Sequence, residues 1–260
     1  MSIITITTDW GSSDPDLASL KGLLFRNCGS QIQIVDINTR ILPFDFQQAA
    51  YMLRNSYMDF PDKTIHLVLV DLPGGSDTRL LLGEKQNQFF VMPDNGFVSV
   101  CFDSNPEKVF ELASREYFRM PGYSNRKTVA KACGKLLKDE EGYLNSLKPV
   151  AEYKELNPPL AVKKENGLWG KVMHVDEFEN VITNISKTDY VQVGKGRDFS
   201  IRYRTRETMN HITDKLCDGG YGDRLCYFDS RGYLKIAIKQ GNAASLLGLK
   251  RDDDIIIEFK

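Results

Sequence analysis

The stretch that decides the fold runs from residue 3 to residue 22 and reads IITITTDWGSSDPDLASLKG. It opens with β-formers, continues with turn residues and ends with leucines at helical spacing. We expect a buried strand, a polar loop and a helix, with Ser13 or Asp14 as the cap and Pro15 in the first turn. Asp9 stands at the carboxyl end of the strand, where parallel α/β sheets bind ligands. Its carboxylate suits a diol or an ammonium as ligand; the alternative is that it ties the loop as an Asx turn.

Composition limits the classes of function. The chain has 260 residues and a net charge of −1, which favours one large or two medium globular domains without a basic surface for nucleic acid or membrane. The loop after the first strand has neither a G-x-G-x-x-G nor a G-x-x-x-x-G-K-[ST] pattern, which argues against dinucleotide and nucleoside-triphosphate enzymes. We find no signal peptide and no apolar run long enough to span a bilayer.

The cysteines and histidines indicate neither disulfides nor a metal site. The five cysteines are scattered and none has C-x-x-C spacing, so we expect reduced thiols and a cytoplasmic protein. The three histidines are far apart in sequence and form no zinc signature, so we expect no metal.

The first 160 residues alternate between strand and helix patterns. Apolar strands are predicted at 32–37 and 64–71, with a helix at 46–53 capped by Asp45 between them. Two more strand patterns, around 79–83 and 88–92, precede a helix that starts near Phe97. This order predicts an α/β domain, residues 1–160, with a mostly parallel sheet. The loops at Asp9, Phe44 and Asp71 follow strand ends and would share one edge.

The pattern changes after a proline-flanked connection at 148–159. Short alternating strands with turn signals predict a smaller antiparallel β-barrel domain, residues 166–260. An arginine run (Arg197, Arg202, Arg204, Arg206) is either a nucleic-acid face on that barrel or a solvated strand face, and the near-neutral net charge favours the latter.

Five motifs, taken in order, resemble one family. They are TTDWG at 7–11, PDNG at 93–96, DEFENVITN at 176–184, DSRGYL at 229–234 and GNAA at 241–244. Together they resemble the S-adenosyl-L-methionine hydroxide adenosyltransferase family, which is related to the fluorinating and chlorinating enzymes that act on the same compound. The resemblance implies an α/β domain followed by a β-barrel domain, a homotrimer with sites between subunits, and no cofactor beyond S-adenosyl-L-methionine as substrate. Halide use is not indicated, because the extra loop of those relatives is missing.

The resemblance also implies residues for the ribose and the methionine moiety. Asp9 would accept the ribose diol and Phe44 would form an aromatic wall beside it. Asp176 and Ser230 would hold the methionine amino group, and Arg231 would pair with its carboxylate. A carboxylate beside a guanidinium is the charge pattern that a zwitterion requires.

Adenine would be bound by another group of residues. Phe178 would stack on the base and Asn180 would hydrogen-bond its edge, helped by backbone near Ala243, with Tyr221 as a second ring. An aromatic ring plus an amide matches the flat face and polar edge of adenine. Taken singly, Phe178 reads equally as barrel core, Asn180 as a turn residue and Arg231 as a surface arginine.

For the reaction, the resemblance implies an aspartate, an arginine and a histidine that handle the attacking water. Asp71 matches the aspartate. The arginine position falls on Thr78, with Arg79 as its neighbour and substitute, and the histidine position falls near Lys135. None of the three histidines replaces the missing one, and an ordinary lysine is a poor base at neutral pH.

Three functions are compatible with these sequence features. The leading one is hydrolysis of S-adenosyl-L-methionine to adenosine and L-methionine, by attack of water or hydroxide on ribose C5′. The second is a non-catalytic or altered protein that binds S-adenosyl-L-methionine or adenosine. The third is a nucleic-acid-binding barrel, which only the arginine run favours.

Overall fold

The computed structural model describes residues 1–72, 79–102, 104–113, 124–157, 160–203 and 207–260, and the structural statements below refer to these residues. The chain forms two compact units, Met1–Pro158 and Pro159–Lys260. In the described ranges, no helix is both long and apolar enough to cross a membrane.

The first unit is built on a seven-stranded sheet with helices on both faces. Its strands are β1 (Ser2–Thr8), β2 (Ile32–Asn38), β3 (Ile65–Leu69), β4 (Leu80–Lys85), β5 (Gln88–Pro93), β6 (Lys108–Ala113) and β7 (Lys148–Pro149). Its helices are α1 (Pro15–Cys28), α2 (Phe46–Arg54), α3 (Phe97–Cys101), α4 (Asn125–Lys138) and α5 (Glu140–Ser146). The strands lie in the order β2-β1-β3-β5-β4-β6-β7.

This sheet is mixed, which corrects the expectation of a mostly parallel one. The pairings of β1 with β2, β1 with β3 and β3 with β5 are parallel, whereas β5–β4, β4–β6 and β6–β7 are antiparallel. Only Gln86 and Asn87 connect β4 to β5, and both have left-handed φ values of 49° and 58°. Two such residues make a tight hairpin, and a parallel pairing would need a crossover of a dozen residues or more.

Local sequence explains the helices that flank the site edge. Asp14 caps α1 by accepting the Asp16 N–H at 2.7 Å, and Asp45 caps α2 by accepting the Gln48 N–H at 2.8 Å. Both predicted caps are therefore confirmed, Asp14 being the one chosen from its pair. Strand β3 is buried throughout because alternate side chains enter the cores on the two faces of the sheet.

The second unit is an antiparallel sheet that nearly closes into a barrel. Its strands are β8 (Val162–Lys164), β9 (Gly167–Val175), β10 (Val181–Ser186), β11 (Phe199–Tyr203), β12 (Glu207–Met209), β13 (Arg224–Phe228), β14 (Tyr233–Ile238) and β15 (Asp254–Phe259). The order is β12-β11-β15-β9-β10-β14-β13, with β8 beside β9. The Thr213 N–H, just after β12, donates to the Cys226 carbonyl of β13 at 2.8 Å, which links the two ends of the sheet.

The barrel interior follows the period of two in the strands. On β14, Leu234, Ile236 and Ile238 belong to the core, so Tyr233 and Lys235 point away from it. Two helices, α6 (Lys187–Gly194) and α7 (Ala243–Leu247), interrupt the strand sequence. The start of α7 lies close to the hairpin between β9 and β10, because the Ala244 N–H donates to the Glu179 carbonyl at 2.9 Å.

Candidate functional site

One edge of the first sheet gathers polar residues from four strands. The parallel strands β1, β3 and β5 end at this edge; Asp9 and Asp94 follow β1 and β5 directly, and Asp71 lies two residues after the end of β3. Strand β4 runs the opposite way and starts here, immediately after Arg79. This is the edge at which an α/β sheet binds ligands.

The Asp9 carboxylate joins the three predicted loops. Its Oδ2 atom accepts the Phe44 N–H at 3.0 Å and the Asp71 N–H at 3.2 Å. Phe44 and Asp71 both have left-handed backbones, with φ values of 66° and 51°. Non-glycine residues hold that conformation only where the surroundings over-determine it, often at ligand sites. The expectation that these loops share one edge is confirmed, and Asp9 does tie loops, as its plainer interpretation required.

The other side of Asp9 is available for a ligand. Within the described ranges no residue donates a hydrogen bond to its Oδ1 atom. Beside it, the Phe44 side chain is 67% exposed although phenylalanine is a core residue by preference. An accepting oxygen next to an uncovered aromatic ring fits the polar and apolar sides of a ribose.

The environment of Asp71 at this edge favours the protonated form of its carboxyl group. Burial raises its pKa above the ordinary value and the nearby charge of Asp9 raises it further, while the Lys154 ammonium opposes both. A carboxylate with a raised pKa is a better proton acceptor than an ordinary one.

Arg79 is already bound to protein groups. Its Nε donates to Asp94 Oδ2 at 2.7 Å, one terminal nitrogen donates to Glu111 Oε2 at 3.4 Å, and the other donates to the Glu152 carbonyl. Asp94 in turn accepts the Lys154 N–H at 2.7 Å. The arginine therefore holds the segment that carries Lys154 against the site edge. Thr78, the other position considered for an arginine, lies outside the described residues.

The structure does not bring Lys135 to the site edge. Helix α4 runs alongside α1 in the same direction, because Arg126 near its start pairs with Asp16, and Gly134 near its end packs on Asn27. Lys135 is ten residues along α4, about 15 Å from the first residue at 1.5 Å per residue. Its ammonium lies 5.4 Å from the centre of the Tyr143 ring.

Two residues at this edge were missed by sequence reasoning. Lys154 belongs to the stretch that was interpreted as an interdomain connection, and only the hydrogen bond to Asp94 reveals its place. Asn125 begins α4, and its Oδ1 atom is buried without a hydrogen-bond partner among the described residues. A buried unpaired amide oxygen is costly, so it calls for an unseen partner such as water or ligand. Ser124, the N-cap residue of α4, is a sequence signal from which the start of this helix can be predicted.

In the second unit, Asp176 organises the hairpin between β9 and β10. Its Oδ1 accepts the N–H groups of Phe178 at 3.0 Å and Asn180 at 2.9 Å. Its Oδ2 accepts Asn180 Nδ2 at 3.0 Å and Lys235 Nζ at 3.2 Å. Burial alone would raise the Asp176 pKa, but the hydrogen bonds from Asn180 and the Lys235 ammonium bring it below the ordinary value. Lys235 is a further residue that the sequence did not single out.

Glu179 fastens this hairpin to the start of α7. Its carboxylate accepts Asn242 Nδ2 at 3.1 Å and the Ser245 N–H at 2.9 Å, and these bonds lower its pKa. Ala243, buried at the start of α7, is thereby brought next to the hairpin. Asn180 lies on the same hairpin. Its Nδ2 donates to Asp176 and its backbone carbonyl accepts the Asp176 N–H, which leaves the side-chain Oδ1 for a ligand donor.

Two aromatic rings are uncovered at this end of the barrel. Phe178 is 78% exposed and Tyr221 is 82% exposed, so the interpretation of Phe178 as barrel core is excluded. The Gly222 N–H donates to the Lys239 carbonyl just beyond β14, which places Tyr221 at the end of β14 that adjoins α7. Exposed rings beside an amide are suited to stacking a base.

Ser230 and Arg231 lie in the turn before β14. Asp229 shapes this turn, because its Oδ1 accepts the N–H groups of Arg231 and Tyr233, both at 3.0 Å. Tyr227 connects the turn with the hairpin: burial raises its pKa, and the charges of Asp176 and Asp229 raise it further. Ser230 and Arg231 thus immediately precede β14, the strand whose Lys235 donates to Asp176.

The arginine run forms no continuous basic face in the part of it that the structure describes. Arg202 pairs with Glu258 at 2.9 Å, and Arg197 donates to Asn166 and to backbone carbonyls. Arg204 and Arg206 lie outside the described residues. Across the described ranges, no cluster of three or more His, Cys, Asp or Glu side chains gathers as a metal site would require.

Comparison with protein families gives matches in both units. Residues 4–142 match the model of the SAM hydroxide adenosyltransferase N-terminal domain, and residues 170–256 match that of the SAM hydroxide adenosyltransferase C-terminal domain. The chain is 26% identical to (R)-S-adenosyl-L-methionine hydrolase of Methanocaldococcus jannaschii, over 100% of this chain and 97% of the relative. It is 24% identical to a fluorinase of an Actinoplanes species, over 94% and 92% of the two chains.

Solved structures share the same architecture. A crystal structure of an uncharacterised conserved protein from Thermotoga maritima superposes with a TM-score of 0.80 at 27% identity, covering 99% of both chains. A conserved hypothetical protein from Thermus thermophilus superposes with a TM-score of 0.73 at 25% identity, covering 100% of both chains.

Proposed function

The chain belongs to the SAM hydroxide adenosyltransferase family, and we propose on that basis that it hydrolyses S-adenosyl-L-methionine to adenosine and L-methionine. The observation that carries this proposal is that family models match both units in order, together with relatives named (R)-S-adenosyl-L-methionine hydrolase that align over nearly the whole chain. The geometry at Asp9 and at Asp176 supports a ligand with a ribose and a zwitterionic end.

The reaction is a substitution at ribose C5′. An oxygen–carbon bond forms as water or hydroxide attacks, the carbon–sulfur bond breaks, and methionine leaves with the electron pair as a neutral thioether. The proton of the attacking water is given up to a base or to solvent. Because a sulfonium is already a good leaving group, the protein has to align and partly desolvate the water rather than supply an acid.

We assign to Asp71 the role of binding the attacking water. Its raised pKa and its fixed, left-handed backbone suit a carboxylate that accepts a proton or hydrogen bond from the attacking oxygen. Lys154 is the cation beside it, in place of Lys135, which lies far along α4. Arg79 then acts as a positioning residue through Asp94 and the Lys154 segment, and Asn125 supplies a further polar atom for the water.

The first unit would bind the ribose. In this assignment Asp9 Oδ1 accepts the diol while Oδ2 keeps the loops of Phe44 and Asp71 in place. The exposed Phe44 ring covers the apolar face of the sugar.

The second unit would bind adenine and methionine. Phe178 and Tyr221 stack on the base, the side-chain Oδ1 of Asn180 accepts from the adenine amino group, and backbone near Ala243 completes the contact. At the other end Ser230 and Asp176 receive the ammonium, and Arg231 binds the carboxylate. The full set of adenine and methionine residues is Asp176, Phe178, Asn180, Tyr221, Ser230, Arg231 and Ala243.

We also propose the assembly and location that the family resemblance implies. The protein would form a homotrimer in which each site draws on two subunits, and it would work in the cytoplasm. All five cysteines are free thiols, which supports a reducing compartment.

A second candidate is a protein that binds S-adenosyl-L-methionine without turning it over. The observation that favours it is the engagement of Arg79 with two carboxylates, Asp94 and Glu111. The one histidine of the first unit, His66, is also unavailable, since it is buried between Thr5 and Gln88.

The deciding experiment incubates the pure protein with S-adenosyl-L-methionine and separates the products by chromatography. We expect adenosine and methionine in equal amounts, and we expect the Asp71→Asn variant to lose at least about 100-fold in rate while binding the substrate as before. Asp36→Asn, at a surface ion pair with Lys21, is the matched control and should keep full activity. Ligand recovered intact on the wild-type protein would favour the second candidate; unchanged turnover in Asp71→Asn would refute the assignment of the water.

A further inference from the structure

Protein donors already occupy the acceptor sites of the Asp176 carboxylate, so a ligand ammonium that binds it must displace one of them. An ionised carboxylate offers about four lone-pair sites. Four protein donors occupy them: the N–H groups of Phe178 and Asn180, the Asn180 side-chain amide and the Lys235 ammonium. Three of the four come from the hairpin itself and are fixed by its backbone. The fourth donor, the Lys235 ammonium, comes from β14 and stands at the end of a flexible side chain.

Lys235 is directed at Asp176 by the register of the barrel. It stands opposite Tyr227 on β13 and opposite Ile182 on β10, and Ile182 stands opposite His174 on β9. These four residues form a row across the outer side of the barrel, and Asp176 follows β9 at its end. The Lys235 side chain is 17% exposed and that of Asp176 is 24% exposed, so solvent screens their ion pair only in part.

Lys235 pairs with Asp176, and the other two titratable groups of the row, His174 and Tyr227, carry no charge that competes for either partner. His174 feels the charges of Asp176, Lys235 and Glu177, and burial keeps its pKa below the ordinary value, so it adds no second cation near neutral pH. The tyrosine of the row, Tyr227, has a raised pKa and stays neutral. The lysine thus takes the position that a substrate ammonium would need.

We infer that Lys235 determines the specificity of the site at the amino-acid end, so that it accepts adenosyl sulfonium compounds through their nucleoside and carboxylate with little contribution from the α-ammonium. This inference rests on the proposed function. An incoming ammonium replaces one lysine hydrogen bond to Asp176 by another of the same kind, so the exchange gains little. Arg231, in the turn before β14, is the residue assigned to the carboxylate under the proposed function. The substrate class is therefore adenosyl sulfonium carboxylates, with or without the amino group.

The test compares two ligands by calorimetric titration. One is S-adenosyl-L-methionine, and the other is the same sulfonium without its α-amino group, S-adenosyl-4-methylthiobutyrate. For the wild-type protein we expect dissociation constants within about threefold of each other. For Lys235→Met we expect S-adenosyl-L-methionine to bind at least about tenfold more tightly than the deaminated ligand, the gain expected of one charge-assisted hydrogen bond, with the deaminated ligand unchanged.

Two variants separate this effect from damage to the barrel. Lys235→Arg keeps a cation for Asp176 and should restore the wild-type ratio. Lys171→Met removes another lysine of the same unit, one paired with Asp254 at 3.0 Å, and should leave the ratio unchanged. A merely structural lysine would weaken both ligands equally and would not move the ratio.

The outcomes distinguish this inference from the proposed function. A wild-type preference for the amino-bearing ligand above about tenfold, or an unchanged ratio in Lys235→Met, would overturn the role of Lys235 alone. Binding of both ligands without adenosine release would overturn hydrolysis and leave the role of Lys235 standing. Failure of either ligand to bind would overturn both.

Discussion

At the scale of single residues, Asp9 has two roles that can be separated by substitution. Its Oδ2 holds the left-handed backbones of Phe44 and Asp71, and its Oδ1 is the atom that we propose accepts the ribose diol. We predict that Asp9→Ala abolishes binding of S-adenosyl-L-methionine and lowers the free energy of unfolding by about 2 kcal/mol, as two hydrogen bonds to a charged group are lost. Asp9→Asn keeps an acceptor for the two N–H groups, so it should stay near wild-type stability while binding more weakly. Calorimetric titration and urea unfolding measure the two effects, and unchanged affinity in Asp9→Ala would sink the ribose assignment.

Asn125 offers a test of the water site at the same scale. Its buried Oδ1 lacks a partner among the described residues, which a bound water would supply. We predict that Asn125→Leu binds S-adenosyl-L-methionine as before but hydrolyses it at least about tenfold more slowly, because the water loses a positioning contact. Asn27→Leu, at the far end of α1, serves as the control. Equal kcat in Asn125→Leu and wild type would remove Asn125 from the water site.

At the scale of elements, the packing of α4 along α1 decides which residues reach the site edge. A methyl group on Gly134 would come within 2.6 Å of the Asn27 carbonyl oxygen, whereas one on Gly22 would meet nothing within 4 Å. We predict that Gly134→Ala lowers the free energy of unfolding by about 1–3 kcal/mol through overpacking. Gly22→Ala, also inside a helix, should raise it by about 0.5–1 kcal/mol because alanine loses less backbone entropy. Denaturant unfolding measures both, and equal effects would contradict the close contact of the two helices.

Strand β3 makes stability depend on pH through His66. Its ring accepts or donates to Thr5 at 2.7 Å and Gln88 at 2.9 Å and stacks on Phe90. Burial lowers its pKa from 6.5 to about 4, although the Gln88 bond opposes this. Between these values the unfolded chain binds a proton that the folded chain does not, so stability falls as pH falls through this window and changes no further below it.

The size of that effect can be measured. We predict that the free energy of unfolding drops by about 2 kcal/mol between about pH 7 and pH 5 because of His66 alone. His66→Gln should lose this part of the pH dependence, whereas the same substitution at the exposed His211 should keep it. Urea unfolding at the two pH values measures this. An equal loss of unfolding free energy between about pH 7 and pH 5 in wild type and His66→Gln would be evidence against the buried neutral ring.

At the scale of the whole molecule, the proposed trimer predicts that two variants, each inactive alone, regain activity when their subunits are mixed. Light scattering should give about three times the 29.5 kDa chain mass. Asp71→Asn and Asp176→Ala subunits should each be inactive alone. Because each site would draw on two subunits, a refolded equal mixture should recover activity at about a quarter of the sites. A monomeric mass, or a mixture that stays inactive, would contradict the shared site.

Local sequence patterns determined most of the elements and the meeting of three loops at one edge of the first sheet. The Asp14 and Asp45 caps and the meeting of the Asp9, Phe44 and Asp71 loops were predicted, because they depend on neighbours in sequence and on the common edge of parallel strands. The two-residue hairpin before β5 was missed, although Gln86 and Asn87 occupy it, because neither is the glycine that usually marks such a turn. The domain limits 1–160 and 166–260 and the roles of the site residues stay predictions.

Sequence by itself determined the family, the order of the two folds and the carboxylates at their edges, since motifs and periodicity are local properties of the chain. Only the tertiary structure decided which cations stand beside those carboxylates. Arg79 is drawn to Asp94, Lys135 is carried away along α4, and Lys154 and Lys235 reach Asp71 and Asp176 from segments remote in sequence. The physical reason is that electrostatic partners are set by distance in space, and long side chains on packed elements meet groups that no sequence spacing connects.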